Sequence, residues 1–186
     1  MHGYDAKNLG QSFRTVRKNT IQIAEEIPED KYDFSPAEGS RTVAETLKHI
    51  AVSTAWPMKV HAERLTELKF EMFGAVMANA AAAEAKLQTK ADILKALHEN
   101  GEEFAAFMDG LSDDVLAETV SFPPQANMPP KTRFEGLLSA KEHEMHHRAQ
   151  LMLVERMLGI TPHLTRQMQE RMAAMQQQQR QAAHSA

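Results

Sequence analysis

The feature that most limits the fold is a long stretch, residues 132–159, that the sequence predicts to be one uninterrupted helix. It ends at Gly159, and glycine is the preferred residue just beyond a helix C-terminus. The stretch has two apolar columns on roughly opposite sides, and such a helix must be buried on both. Inside a four-helix bundle only one side faces the core, so the other needs a further cover. The first column contains Gly136, Ala140, Val154 and Leu158, and the second contains Phe134, Leu138, Met145 and Met152.

Composition indicates that the rest of the chain is helical as well. Alanine, leucine, glutamate, lysine, glutamine and methionine are prominent, whereas valine and aromatic residues are scarce. Because the first group favours helices, we expect almost no sheet. A length of 186 residues suits one domain with a single large core. The predicted fold class is therefore all-α, as a four-helix bundle.

Apolar spacing and capping signals place the four helices. The first is predicted over residues 4–26. The second starts at Thr42, where Glu45 completes a capping box. The third covers residues 89–109, in which Gly101 is an interior weak point. The fourth is the long stretch described above.

The segments between these helices are unequal in length. Residues 28–40 and 110–131 are predicted to be long connectors rich in turn-forming residues. A hydrophobic patch at residues 70–74 is predicted to be either a loop or a short helix. We divide the chain into a bundle domain of residues 1–162 and a glutamine-rich tail of residues 163–186, which is helical or disordered.

Residues 141–153 hold three of the nine histidines and suggest a metal site. His143 and His147 are one helical turn apart, with about 5–6 Å between their Cβ atoms, so both imidazoles can reach one ion. A third ligand must then come from elsewhere in the chain. His146 points about 60° away and pairs more readily with Gln150 than with the ion. The alternative is a pair of core histidines satisfied by hydrogen bonds, because an unpartnered buried imidazole costs roughly 1–3 kcal/mol.

The histidines outside this stretch have weaker signals. His49 lies on the shoulder of the apolar stripe of the second helix, and periodicity leaves its burial open. His61 and His98 have no ligand residue paired with them at helical spacing, so we interpret them as surface polar residues. His163 is interpreted as a residue near a cap.

A second interpretation of the histidine helix is the H-E-x-x-H pattern of zinc proteases, formed here by His143, Glu144 and His147. In those enzymes the glutamate is the general base. The further ligand motif is missing, since Gln150 and Leu153 occupy its positions. Glu144 is predicted to lie on a polar edge of the helix. Both features disfavour a protease.

Several classes of protein are disfavoured by composition. The formal charge of −4 and the pI near 6.1 leave no basic face for phosphates, which argues against nucleic-acid binding. The chain has no cysteine, so disulfides, thiolate ligands and a protein thiol nucleophile are excluded. We find neither a signal-peptide core nor a run long enough to cross a membrane. A cytoplasmic protein without membrane or nucleic-acid partners is expected.

The segments that read SPAEGSRTVAE, TVAETLKHIA and KEHEMHHRAQLMLVERMLGITPH resemble the DinB and YfiT-like superfamily of metal-binding four-helix bundles. This resemblance covers most of the chain. It implies an up-down-down-up bundle with two long crossover connections, which the two long connectors at residues 28–40 and 110–131 would suit.

The resemblance also implies a three-histidine site formed by His49, His143 and His147, with His146 and Gln150 as a supporting pair. The implied cofactor is a divalent metal ion, zinc or nickel. The implied function is a metal-dependent enzyme acting on small molecules, as a thiol S-transferase using a low-molecular-weight thiol or as a hydrolase. The alternative is a non-catalytic metal-binding or stress-related interaction protein whose ion is structural.

The second apolar column of the long helix suggests a partner. We expect it to pack on a second copy of the chain and form a homodimer. The alternative is that the long connectors cover this column within one molecule.

Overall fold

The computed structural model describes residues 4–184, over which the chain forms eight α-helices and two strands of two residues each. The helices are α1 (Ala6–Glu26), α2 (Val43–Ser53), α3 (Ala55–Ala62), α4 (Phe70–Glu84), α5 (Lys90–Asp109), α6 (Asp113–Ala117), α7 (Arg133–Met157) and α8 (His163–His184). The strands β1 (Thr119–Val120) and β2 (Lys131–Thr132) pair antiparallel. The predicted all-α class is confirmed.

Four of these helices, α1, α2, α5 and α7, form the bundle. Tyr4, just before α1, packs against Phe134 at the start of α7, with 6.1 Å between ring centroids. The two helices are therefore parallel. Lys90 at the start of α5 donates a hydrogen bond to the carbonyl of Ile27, just past the end of α1. Helix α5 therefore runs antiparallel to α1.

Helix α2 completes the bundle by packing against both α5 and α7. Val43 at its start and Val154 near the end of α7 line one cavity, so α2 runs antiparallel to α7. The order along the chain is therefore up, down, down, up, and the predicted four-helix bundle is confirmed.

The helix boundaries follow from capping side chains. Asp5 accepts a hydrogen bond from the backbone N–H of Asn8 and starts α1. Reciprocal capping boxes start the three remaining bundle helices, and each satisfies two amide donors that no helical carbonyl can reach. The pairs are Thr42 with Glu45, Thr89 with Asp92, and Thr132 with Glu135. Gly159 has a φ of +80°, a left-handed conformation that glycine adopts without a Cβ penalty.

Helix α4 extends well beyond the hydrophobic patch at residues 70–74. It runs beside α2 in the opposite direction, with Trp56 near Phe73 at one end and His49 near Glu84 at the other. The two parallel helices α2 and α5 need a segment that returns along the bundle, and α4 is that segment. None of its residues is fully buried, so it forms an outer layer over α2.

The bundle core consists of two apolar clusters separated by a polar layer, and a third, smaller apolar cluster contains Val60, Leu68 and Val120. The Arg17 side chain crosses this layer, with Nε 2.9 Å from Glu144 Oε1 and Nη1 2.7 Å from the carbonyl oxygen of Leu97. Glu144 is 1% exposed, so its predicted place on a polar edge is wrong. Its side of α7 faces α1 and α5, where the guanidinium compensates the buried carboxylate.

Gly101 on α5 lies against this ion pair. A Cβ added there would stand 2.7 Å from Arg17 Cγ. The glycine therefore makes room for the arginine side chain, which is a different role from the weak point that helix propensity predicts.

The second apolar column of α7 is largely covered within the molecule. Phe134 and Leu138 pack against the cluster nearer the start of α7, and Met152 packs against the other. Met145 is 39% exposed. The glutamine-rich segment is helical as α8, and its side chains are exposed from residue 167 through residue 183.

Among the histidines outside the α7 cluster, His61 was predicted to be a surface residue and is buried instead, whereas His163 lies at a helix start, near a cap as predicted. His61 is 4% exposed and packs beside Arg133, and His163 is 1% exposed at the start of α8, near Asn19. Their burial arises from helix contacts that sequence spacing does not reveal. His98 is exposed, as expected. Across residues 4–184, no helix combines the length and apolar character needed to cross a membrane.

Candidate metal centre

Three histidine side chains converge where α2 crosses α7. His143 Nε2 lies 3.1 Å from His49 Nε2 and 3.2 Å from His147 Nε2. One ligand atom from each residue lies within 4.8 Å of the others, and within residues 4–184 this is the one such group of histidine or acidic side chains. The structure therefore brings together the three residues that the sequence resemblance implied.

The helices position these side chains at the level of the polar layer. His143 and His147 are one turn apart and face α2, whereas Glu144 between them points about 100° away into the core. His49 is the seventh residue of α2 and reaches across to His143. Neither His49 nor His143 is fully buried, whereas His147 is 7% exposed.

The surroundings keep these imidazoles neutral near pH 7. Burial lowers the pKa of His49 and of His143 to about 4, with smaller contributions from Arg41 and from the neighbouring histidines. Burial also lowers the pKa of His147. Neutral imidazole has a free lone pair on one nitrogen, which is the form that binds metal ions.

Hydrogen bonds around the cluster select the tautomer. His147 donates from Nδ1 to Gln150 Oε1 at 2.9 Å, which leaves the Nε2 lone pair directed at the other histidines. The Gln150 amide in turn donates to His146 Nε2 at 3.2 Å. His146 is thus linked to the cluster through Gln150 and contributes no atom to it. On the other side, His49 Nδ1 lies 3.4 Å from Glu84 Oε1 on α4.

The arrangement fits a divalent metal ion. Two nitrogens that bind one zinc ion at about 2.0–2.1 Å stand about 3 Å apart at tetrahedral or octahedral bond angles. The two Nε2 separations, 3.1 Å and 3.2 Å, match that spacing. Hydrogen bonds among the three imidazoles do not explain this geometry equally well. His49 Nε2 and His147 Nε2 both approach His143 Nε2, so without a metal ion at least one of these contacts would place two nitrogen lone pairs face to face.

Cavities reach the cluster from two sides. One, of about 480 Å³, lies between α2, α3, α4 and α7 and is lined by His49 and His143. The other, of about 660 Å³, lies beside the start of α2 and is lined by His147, His146 and Gln150. Small molecules can therefore approach the histidines from either side.

The protease interpretation lacks its base in this geometry. Both carboxylate oxygens of Glu144 are bonded to Arg17 in the core, turned away from the cluster. Arg17 and Glu84 were not predicted from the sequence as neighbours of this region. A signal for Arg17 was available, since it interrupts the apolar face of α1 between Phe13 and Ile21.

The chain is similar in sequence to proteins of one known family. A family model described as the DinB superfamily matches residues 12–151. The uncharacterised protein YjoA of Bacillus subtilis is 28% identical over 153 residues, which is 80% of this chain and 88% of YjoA.

Two solved structures share the fold of this chain. The crystal structure of YjoA from Bacillus subtilis, described as DinB-like, has a TM-score of 0.61 at 25% identity and covers 82% of this chain and 92% of its own. The structure of YfiT from Bacillus subtilis has a TM-score of 0.65 at 18% identity, over 87% of this chain and 91% of its own. YfiT is described as a probable metal-dependent hydrolase with an unusual four-helix bundle topology.

Proposed function

Since the chain belongs to the DinB superfamily, we propose that His49, His143 and His147 hold one divalent metal ion and that this centre acts on a small molecule. The observation that carries the proposal is the convergence of three neutral imidazoles at metal-ligand spacing, open to a cavity on each side. Three protein ligands with open positions are typical of catalytic sites rather than structural ones. Zinc and nickel are the proposed ions, since imidazole suits both.

The surrounding residues have distinct tasks in this proposal. Gln150 fixes the His147 tautomer, and His146 orients the Gln150 amide, as outer partners of metal ligands commonly do. Glu84 gives His49 an acidic neighbour on the side away from the cluster. A divalent ion at this place would supply Lewis acidity, which favours ionisation of a water or a thiol near neutral pH.

Two reaction classes are supported by different observations. Hydrolysis of a small molecule is supported by the fold shared with YfiT, the probable metal-dependent hydrolase. Thiol S-transfer is supported by the two cavities, since a transferase must bring two molecules to one centre. The thiol would have to arrive with a low-molecular-weight cosubstrate, because the chain has no cysteine.

Elemental analysis of untagged protein tests the metal site. We expect about one equivalent of zinc or nickel in the parent and its loss in His49→Ala and His143→Ala. His98→Ala is the matched control, since His98 is exposed and outside the cluster. A parent that binds neither ion when both are offered would contradict the proposal and leave a helical bundle with core histidines.

The alternative function is a protein whose ion is purely structural. Circular dichroism after chelation separates a catalytic ion from a structural one, because removal of a structural ion should unfold the bundle. We expect helicity to persist, since both apolar clusters assemble without the three histidines. A homodimer stays a prediction. Most of the second apolar column of α7 packs within the molecule, and the support that remains from this column is the exposed Met145. Sedimentation of a 20.9 kDa monomer at micromolar concentration would contradict the prediction.

A further inference from the structure

The cavity on the α4 side of the histidines has mostly apolar walls. Its volume is about 480 Å³, which is enough for a small organic molecule. Helices α2 and α3 form one wall, α4 the outer wall and α7 the floor. Apolar lining residues from these helices include Val52, Trp56, Val76, Met77, Ala80 and Ala140.

Apart from the two histidines and the Trp56 indole, the polar side chains in these walls are Ser53, Lys59, Asn79 and Ser139, and all of these except Asn79 are already engaged. No carboxylate lines the cavity, and the ammonium of Lys59 at its edge lies 2.7 Å from Glu63 Oε1. The hydroxyls of Ser53 and Ser139 donate to carbonyls of their own helices. A charged ligand would therefore lose its hydration without gaining an ion pair, whereas an uncharged apolar one would gain from burial.

A second apolar chamber of about 220 Å³ lies further from the histidines and shares wall residues with the first. The shared residues include Trp56, Gly136 and Ser139. A Cβ on Gly136 would stand 3.0 Å from His61 Nε2, so glycine at this shared wall position lets α7 approach the His61 ring closely. The additional walls come from Leu68, Val120 and Phe122. An elongated molecule could extend from the histidines past Trp56.

The cavity on the opposite side of the cluster differs in chemistry. Its walls include the guanidinium of Arg41, the hydroxyl of Ser40 and the side chains of His146 and Gln150. The two approaches to the histidines are therefore distinct, one apolar and one polar with a cationic group at its edge.

We propose that the cavity on the α4 side is a subsite for an uncharged, elongated and mainly apolar small molecule whose reactive end lies at His49 and His143. This assignment rests on the proposed function for the reaction at the histidines. The binding of an apolar molecule rests on the cavity alone, so the two can fail separately.

Trp56 makes the subsite directly observable, because it is the one tryptophan in the sequence and lines both chambers. We expect the neutral dye N-phenyl-1-naphthylamine to bind with micromolar affinity and quench Trp56 fluorescence by energy transfer. Ala80→Phe fills the cavity from α4 and should weaken binding at least tenfold. Ala78→Phe is the matched control, since Ala78 is exposed and lies outside the cavity walls on the same helix.

Three results decide the proposal. The anionic dye 8-anilinonaphthalene-1-sulfonate should bind at least tenfold more weakly than the neutral dye, and equal binding would overturn the assignment to uncharged ligands. Dye binding without Trp56 quenching, or binding that Ala80→Phe leaves unchanged, would overturn the location. Ala140→Leu, which fills the cavity from α7, gives the same readout if Ala80→Phe does not fold.

Unchanged neutral-dye binding in a metal-free His143→Ala variant would support the subsite even if the metal proposal failed.

Discussion

His143 and Glu144 are neighbours on α7, but their side chains point in different directions and have different roles. His143 points towards α2 and lines the cavity on the α4 side, whereas Glu144 points into the core and binds Arg17. The rotation of about 100° between successive helical residues makes this division possible. Because Arg17 also bonds to backbone carbonyls of α2 and α5, the ion pair fixes the rotation of α7 relative to three other helices. The same rotation of α7 directs His143 and His147 towards α2.

We predict that Glu144→Ala lowers the free energy of unfolding by about 3–5 kcal/mol, because it leaves the Arg17 guanidinium buried without its counter-charge. Urea denaturation followed by circular dichroism measures this change. The double variant Arg17→Met with Glu144→Leu should recover much of the loss, since apolar residues of similar volume need no partner. A loss below 1 kcal/mol in the single variant would contradict a compensating role for the pair.

At the scale of elements, the glycines of α5 and α4 have different roles. Gly101 lies where α5 approaches Arg17 of α1, and a side chain there would displace the arginine. Gly74 in α4 has open space around its Cα, with nothing within 4 Å of an added Cβ. Helix α4 as a whole is an outer layer whose packing depends on few contacts, whereas α5 lies in the core.

This contrast predicts that substitution by alanine changes the stability in opposite directions at the two glycines. Gly101→Ala should destabilise the protein by about 1–3 kcal/mol through overpacking against Arg17. Gly74→Ala should stabilise it by about 0.4–1 kcal/mol, because alanine restricts the unfolded chain and fits the helix. Thermal unfolding of the two variants beside the parent measures both. Stabilisation by both substitutions would contradict overpacking at Gly101 and show that helix propensity determines the effect at both positions.

At the scale of the whole molecule, α8 docks on the bundle through polar groups. Arg166 donates to Glu26 of α1 at 2.6 Å, and His163 Nε2 lies 3.3 Å from Asn19 Oδ1. Glu155 of α7 is 0% exposed, and neither of its carboxylate oxygens has a hydrogen-bond partner within residues 4–184. Burial raises the pKa of Glu155 to about 7, with a further increase from Glu26.

The pH dependence of stability follows from this raised pKa. The unfolded chain ionises Glu155 near its ordinary value of 4.5, whereas the folded protein keeps it neutral until about pH 7. The stability contributed by the neutral carboxyl is therefore full below pH 4.5 and is lost as pH rises through 7. Arg156 and Arg166 oppose the rise in pKa, and they are the basic groups acting on Glu155 from α7 and α8.

We predict that Glu155→Gln is more stable than the parent at pH 8, by about 1–3 kcal/mol, and close to the parent at pH 5. Denaturant unfolding at several pH values measures the difference between the two proteins. Glu38→Gln, at an exposed position, is the control and should show no such pH-dependent difference. A constant difference between Glu155→Gln and the parent from pH 5 to pH 8 would contradict the assignment.

Much of the fold was predictable because local signals determine it. Three capping boxes and the 3.6-residue spacing of apolar side chains depend only on residues close in sequence. Residues 70–74 were left open as a loop or a short helix, and the extent of α4 was not predicted, because an alanine-rich outer helix has no clear apolar stripe. The burial of His61 was missed for a related reason, since it depends on Arg133 and Gly136 of a distant helix.

The sequence by itself determined the helical class, the helix starts and the pairing of His143 with His147, because each follows from backbone geometry over one or two turns. Only the tertiary structure decided that His49 meets this pair, that Glu144 faces Arg17, and that α4 closes one side of a cavity. These features join residues from different helices. Their geometry is determined by how the helices pack, and no local spacing encodes it.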